Sequence, residues 1–258
     1  MTAAAPPHGS SAPGTLWLIP TPLGDASEPA DVLPAQTLRR VKSLDLLIAE
    51  RARSARAVLK AIGTERPLQQ IEIVELNEHT PESALPGLLA PVLAGRDAGL
   101  VSEAGCPAVA DPGARLIALA HRSGVRVIPM VGPSALLLAL MASGLNGQCF
   151  AFAGYLPQDA AERNDKIVAL ESRSRVQGET QLFIETPYRN QVLFEALCAK
   201  LAPDTLLLVA SALTLPDERI ATRTVADWRG AKTTLAKVPT VFGLLATPGR
   251  AQRPRRAT

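Results

Sequence analysis

Hydrophobic positions along the chain fall into short runs separated by helical patterns. In the first half, "TLWLI" (15–19), "DLLIAE" (45–50), "IEIVEL" (71–76), "AGLVS" (98–102) and "VRVIPM" (125–130) predict strands. Helical patterns follow over 34–43, 54–62, 82–93, 114–122 and, more briefly, 134–142. Alternation of this kind implies a mostly parallel sheet with helices on both faces. Near-continuous apolar strands agree, because a parallel sheet is buried on both sides.

The pattern changes after a Gly/Asn-rich break, "SGLNGQ" (143–148). Beyond it, "CFAFAGYL", "TQLFIE", "TLLLVA", "ERIATRTV" and "TVFGLLA" predict strands, with strong helices only at about 159–172 and 188–201. Strands not separated by helices suggest a mixed second sheet. The expected organisation is a flexible lead-in (1–14), an N-terminal α/β domain (15–145), a C-terminal mixed α/β domain (146–248) and a basic tail (249–258).

Charge sharpens this. No charged residue lies between Arg126 and Asp159, long enough for a membrane helix. Pro129, Gly132, Pro133, Gly144, Gly147 and Pro157 interrupt that stretch, and loops there would leave backbone groups unsatisfied in lipid. It parses as strand, loop, short helix, loop, strand, and no membrane association is expected. The net charge of +3 owes everything to four arginines among the last ten residues; without them 23 basic residues face 24 acidic ones, −1. The body is therefore near neutral and does not itself announce a nucleic-acid partner; the tail reads as a solvated end. Cys106, Cys149 and Cys198 have neither metal-ligand spacing nor a disulfide framework, so no metal is expected and a reducing cytoplasm is. The first residues have no basic start or apolar stretch of a signal peptide.

Candidate chemistry collects just after the predicted strands: "PTPLGD" (20–25), "ERAR" (50–53), "NEHT" (77–80), "SEAGCPAVADPG" (102–113) and "VGPSA" (131–135), then "ETPYR" (185–189) and "VPT" (238–240). In open parallel sheets ligands sit beyond the carboxyl ends of the strands, so five such loops in one domain converge on one rim. Neither G-x-G-x-x-G after the first strand nor G-x-x-x-x-G-K-[ST] is present, which argues against an ordinary dinucleotide or triphosphate site. Small residues such as Gly105, Gly113 and Ala135 leave room for a flat ring, and carboxylates suit a ligand with positive charge or hydroxyls. Glu103 lies too far from the following helix to cap it and reads as a ligand contact. Asp111, ahead of Pro112, is either a cap or a contact, and Ser134 likewise. Glu50 is either a pocket carboxylate or half of an ion pair with the nearby arginines. His79 beside Glu78 is either an acid–base pair or a surface turn. Arg189 either binds phosphate or pairs with a carboxylate. Cys106 lacks the basic setting of a nucleophile.

Taken in order, "LIPTPLGD", "ERAR", "NEH", "VSEAGCPAVADPG", "VIPMVGPSA", "ASGL", "FAGYLP", "ETPYR" and "KVPTVF" resemble the tetrapyrrole-methylase-like S-adenosylmethionine (SAM)-dependent methyltransferases, over roughly Thr15 to Thr247. Within that class the chain is most similar to the branch that methylates a cytidine ribose 2′-hydroxyl of small-subunit ribosomal RNA. The resemblance implies a two-domain α/β homodimer with SAM in the cleft between the domains. It places Pro22, Leu23, Glu103, Ala104, Gly105, Pro107, Ser134 and Ala135 on one side of the cofactor and Glu185, Thr186, Leu213, Pro239 and Thr240 on the other. It implies an rRNA or small-subunit partner. The chain departs from the branch where Glu-Asp-Thr-Arg becomes Glu50-Arg51-Ala52-Arg53, where Ser-Asp-Ala-Gly-Thr-Pro becomes Ser102-Glu103-Ala104-Gly105-Cys106-Pro107, and where Glu-His-Asn-Glu becomes Glu78-His79-Thr80-Pro81. It also stops before the branch's C-terminal helical segment, as a short paralogue would. Cofactor loops are thus better kept than acceptor-side ones, which leaves open a tetrapyrrole or other small-molecule acceptor, or a protein that only binds SAM. A hydroxyl acceptor must lose a proton; Glu50 and His79 are the candidate bases, and Arg53, Glu78 and Arg189 the candidate acceptor contacts.

Overall fold

The computed structural model describes residues 12–247. The expected basic tail and most of the lead-in lie outside them. The chain divides between Pro133 and Ser134 into two compact units.

The first unit is a five-stranded sheet. Its strands are β1 (Thr15–Ile19), β2 (Leu46–Ala49), β3 (Glu72–Glu75), β4 (Ala98–Val101) and β5 (Arg126–Pro129), in the order β3-β2-β4-β1-β5. Every pairing is parallel, so all five carboxyl ends open on one edge. Helices α1 (Pro29–Val32), α2 (Ala35–Ser43), α3 (Ala52–Ile62), α4 (Leu85–Leu93) and α5 (Ala114–Arg122) connect them. Strand alternation sends side chains to two cores. Leu16, Leu46, Ile48 and Leu100 pack with Leu89 of α4 and Leu116 of α5. Ile19, Leu47, Ala49 and Val101 pack with Val41 of α2 and Leu59 of α3. Burying each such leucine or isoleucine stabilises the fold by roughly 1.5–3 kcal/mol.

The second unit contains α6 (Ala135–Ser143), β6 (Phe150–Tyr155), α7 (Ala160–Gln177), β7 (Thr180–Glu185), α8 (Asn190–Lys200), β8 (Leu206–Ser211), β9 (Arg219–Thr224), α9 (Val225–Gly230) and β10 (Thr240–Leu245). Its sheet runs β6-β7-β10-β8-β9; β6 and β7 are parallel and the other pairings antiparallel, a mixed sheet. Phe183 stacks with Phe242 at 5.9 Å between centroids, and Phe194 meets Trp228 edge-on at 5.4 Å.

The division falls before α6, not at the 143–148 break. Helix α6 packs on β9 and β10 of the second sheet, and the Thr222 hydroxyl donates to the Ser143 carbonyl at its end (2.7 Å). The Gly/Asn break is instead the turn that ends this helix, with Gly144 left-handed at φ 69°. Helix α7 runs past its expected end to Gln177, where the left-handed Gly178 closes it; at its start Asp159 accepts from the Ala161 and Glu162 amides (2.8 and 3.0 Å). Among the described residues no helix is long and apolar enough to cross a membrane.

Candidate active site

At the carboxyl edge of the first sheet two loops lock together. Thr21 and Gly105 exchange backbone hydrogen bonds, the Thr21 amide donating to Gly105 (3.0 Å) and the Gly105 amide to Thr21 (3.1 Å). The buried Ser102 hydroxyl donates to the Gly105 carbonyl (2.9 Å). Gly105 has φ 77°, and a Cβ there would come within 3.0 Å of Leu23 Cδ2, so both conformation and space call for glycine. Gly132 is pinned by space alone: a Cβ would stand 2.4 Å from Pro20 Cβ. Ala108 (φ 64°) and Ala110 (φ 58°) are left-handed without glycine's licence. Asp111 holds that segment, accepting from the Gly113 amide at 2.8 Å.

Carboxylates gather on this rim. Glu103 accepts from the Ser54 hydroxyl (2.9 Å) and lies 3.5 Å from Arg51 Nε. It lines an open cleft of about 520 Å³ with Pro22, Asp25, Arg53, Ser54 and Ala57, within the size range of small-ligand sites. Arg53 is exposed and makes no ion pair among the described residues. Glu50, one residue past β2, is half-buried. Burial, then the charges of Glu103 and Asp111, push its carboxyl above the ordinary carboxylate range; Arg51 opposes them and Glu78 adds slightly. His79 stands on a turn closed by Asn77 and Thr80, its Nε2 3.5 Å from Glu78, with both side chains more than 80% exposed (86% and 83%). Among the described residues no group of three or more His, Cys, Asp or Glu is arranged to hold a metal.

In the second unit, register aligns another polar row: Thr240 of β10 is paired with Glu185 of β7 and with Ser211 of β8. Glu185, with a side chain 2% exposed, accepts both arms of the Arg189 fork (2.7 to 2.9 Å) and the Thr186 amide (2.7 Å). Asn190, at the start of α8, donates to the Val238 carbonyl (2.6 Å) and Thr240 Oγ1 (3.0 Å). The Ala212 amide donates to the Pro239 carbonyl (3.0 Å), pinning a turn in which Ala212 and Thr214 are left-handed around the buried Leu213. Ser134 caps α6 through the Leu137 amide (3.5 Å), with Ala135 as the first helical residue.

Residues 15–228 match the model of the tetrapyrrole (corrin/porphyrin) methylases. The chain belongs to this family. It is 32% identical to the ribosomal RNA small subunit methyltransferase I of Xylella fastidiosa, over 84% of this chain and 74% of the relative. With the Bacillus subtilis protein of the same name the identity is 31%, over 85% of this chain and 70% of the relative. Among solved structures, the Thermus thermophilus uroporphyrin-III C-methyltransferase complexed with S-adenosyl homocysteine has the same fold, with TM-score 0.53 and 20% identity over 90% of this chain and 97% of that one. As a tetrapyrrole methylase the chain is a SAM-dependent methyltransferase.

The methylase brings together several of the residues expected at its site. Pro22, Arg53 and Glu103 share one cleft, Leu23 and Gly105 touch across the locked loops, and Glu50 feels Glu103. Ala104 is exposed and Pro107 buried in the same loop. Geometry decides two alternatives that the residues alone left open. Asp111 holds its own loop rather than capping α5 with its side chain. Arg189 pairs with a carboxylate, through its Nε and one of its two amino groups. Sequence reasoning passed over Ser54, which orients Glu103, and Asn190, which ties the second row together. Both are polar residues in the first turn of a helix after a strand, a position that could have flagged them.

Proposed function

We propose that this methylase transfers a methyl group to a ribose 2′-hydroxyl of small-subunit ribosomal RNA. The single observation that carries the chemistry is Glu50: a half-buried carboxyl raised by burial and then by Glu103, which itself lines the cleft with Arg53. A base tuned upward is better matched to a hydroxyl proton near neutral pH than an ordinary carboxylate. The names of the relatives support the RNA acceptor, and so does the open, charged lining of the cleft; a corrin or porphyrin calls for a deep apolar pocket.

The rim fits the donor. Loops pressed close at Gly105 and Gly132 let backbone approach a ligand, and carboxylates left uncompensated suit a sulfonium with ribose hydroxyls. SAM supplies an activated methyl group on that sulfonium. Pro22, Leu23, Glu103, Ala104, Gly105 and Pro107 are the proposed contacts of the first unit; Ser134, Ala135, Glu185, Thr186, Leu213, Pro239 and Thr240 are those proposed for the second. Glu50 takes the hydroxyl proton, Arg53 holds an acceptor phosphate, and Glu103, oriented by Ser54, holds the donor. His79 and Glu78, exposed on their turn, are proposed as outer acceptor contacts, with His79 the alternative base. A cytoplasmic homodimer is the proposed working form.

The test offers tritium-labelled SAM and purified protein to small ribosomal subunits from cells lacking the protein, to intact subunits and to free RNA. Label entering only the deficient subunits, at a ribose 2′-oxygen, is the expected result. No label, with SAM binding shown on the same preparation, sinks the RNA acceptor and turns the search to small molecules.

A further inference from the structure

We infer that the groove between α2 and the edge strand β5 holds the phosphate backbone of the RNA acceptor; this rests on the RNA reading above. On α2, Gln36, Arg39, Arg40 and Ser43 share one face at three- and four-residue spacing, and with Trp17 and Met130 they line a cavity of about 280 Å³. The helix, "AQTLRRVKS", contains no acid. The Asp97 carboxylate enters this region, and it is already matched: the Trp17 indole N–H donates to it (3.1 Å), and Arg40 lies 3.7 Å from it and 3.8 Å over the Trp17 ring.

That cluster accounts for Arg40. It does not account for Arg39, which lines the same cavity, is exposed, and makes no ion pair among the described residues. Arg126 adds to it. Trp17 is registered with Ile128 and Thr15 with Arg126, so strand alternation puts Arg126 on the Trp17 face of the sheet, at its open edge. It too is exposed without an ion pair among the described residues. Arg39 lines the groove beside the Trp17 indole, and Arg126 adds a second guanidinium on the same face of the sheet, which is the chemistry that grips an RNA backbone. The groove also leads to the rim. Met130 lies one residue beyond β5, and the Thr37 hydroxyl of α2 donates to the Val131 carbonyl (2.7 Å), where the 131–135 loop begins. The groove is a local basic stripe, which is how a body of near-neutral charge can still hold RNA.

The experiment measures binding to deficient small subunits across a salt series. It compares the wild type, the double variant Arg39→Gln/Arg126→Gln, and Arg122→Gln. Arg122 lies at the end of α5, which packs on the opposite face of the sheet. Each arginine–phosphate pairing that is removed lowers the slope of log affinity against log salt by about 0.7. The double variant is expected to show roughly twice that reduction, to label subunits more weakly as salt rises, and to keep its calorimetric SAM affinity. Arg122→Gln should keep the wild-type slope. An unchanged slope in the double variant, or an equal reduction in Arg122→Gln, overturns the groove while leaving the acceptor reading intact. A wild type that does not bind the subunits at all overturns both.

Discussion

The first unit's rim lies just past the ends of its strands and the second unit's polar row on the terminal residues of its own, and the two treat charge in opposite ways. On the rim, Glu103 and Asp111 raise the half-buried Glu50 carboxyl, and Arg51 offsets them only in part. In the row, Glu185 is buried with both oxygens filled by Arg189 and a backbone amide. Unbalanced charge costs stability and leaves groups available for chemistry; balanced charge fixes geometry and leaves little to react. On the proposed reading proton transfer belongs to the rim, while the Glu185–Arg189 pair fixes the geometry of the row.

The largest test is Glu50→Gln. If Glu50 is the base, methyl transfer to deficient subunits should fall by about a hundredfold to ten-thousandfold. Stability should move the other way. The folded pKa of Glu50 lies above its unfolded value, so the folded state binds the extra proton between the two, and the stability linked to it is lost as pH rises through the folded pKa. Gln mimics the protonated form, so the variant should melt higher than wild type at neutral pH, with the gap closing below the ordinary carboxylate range. A variant equally active and no more stable would remove the distinction between rim and row.

Next comes the row. Arg189→Met strands a buried carboxylate, which typically costs about 3–5 kcal/mol; Arg189 is partly exposed, so the lower end is expected, a fall in Tm of roughly 6–12 °C. The double variant Glu185→Gln/Arg189→Met should recover most of that fall on the same thermal melt. A single variant as stable as wild type would mean that the row carries charge no better balanced than the rim's.

The contrast was only half legible in the sequence. Loops after successive apolar strands pointed to the rim, because parallel strands put all their carboxyl ends on one edge. The strands themselves were legible for the same reason: the "LLIA" of β2 is buried on both faces and reads as one run. Helix α6 was found, but its allegiance was not, since a helix apolar all round carries no face that names its sheet. Helices α1 and α9 are too short for a period to show. Glu185 and Arg189 stand four apart across the start of a helix, a spacing that pairs side chains, yet a Pro between them reads as a break. Ser54 and Asn190 matter through partners far away in sequence, which no local pattern records.

The smallest effect is the most discriminating. Burial is the first cause of Glu50's raised carboxyl and Glu103 the second, ahead of Asp111. Glu103→Gln should therefore move the acid limb of the kcat/KM profile to lower pH without abolishing it, because burial remains. Asp111→Asn should move it less. Arg51→Gln removes the one opposing charge and should move the limb to higher pH. Measured at saturating SAM, these shifts separate Glu103's part in holding the donor from its field at Glu50. Three shifts in that order and with those signs identify Glu50 as the titrating base, since that is the order in which these charges act on it. A limb unmoved by all three would exclude Glu50 and pass the role to His79.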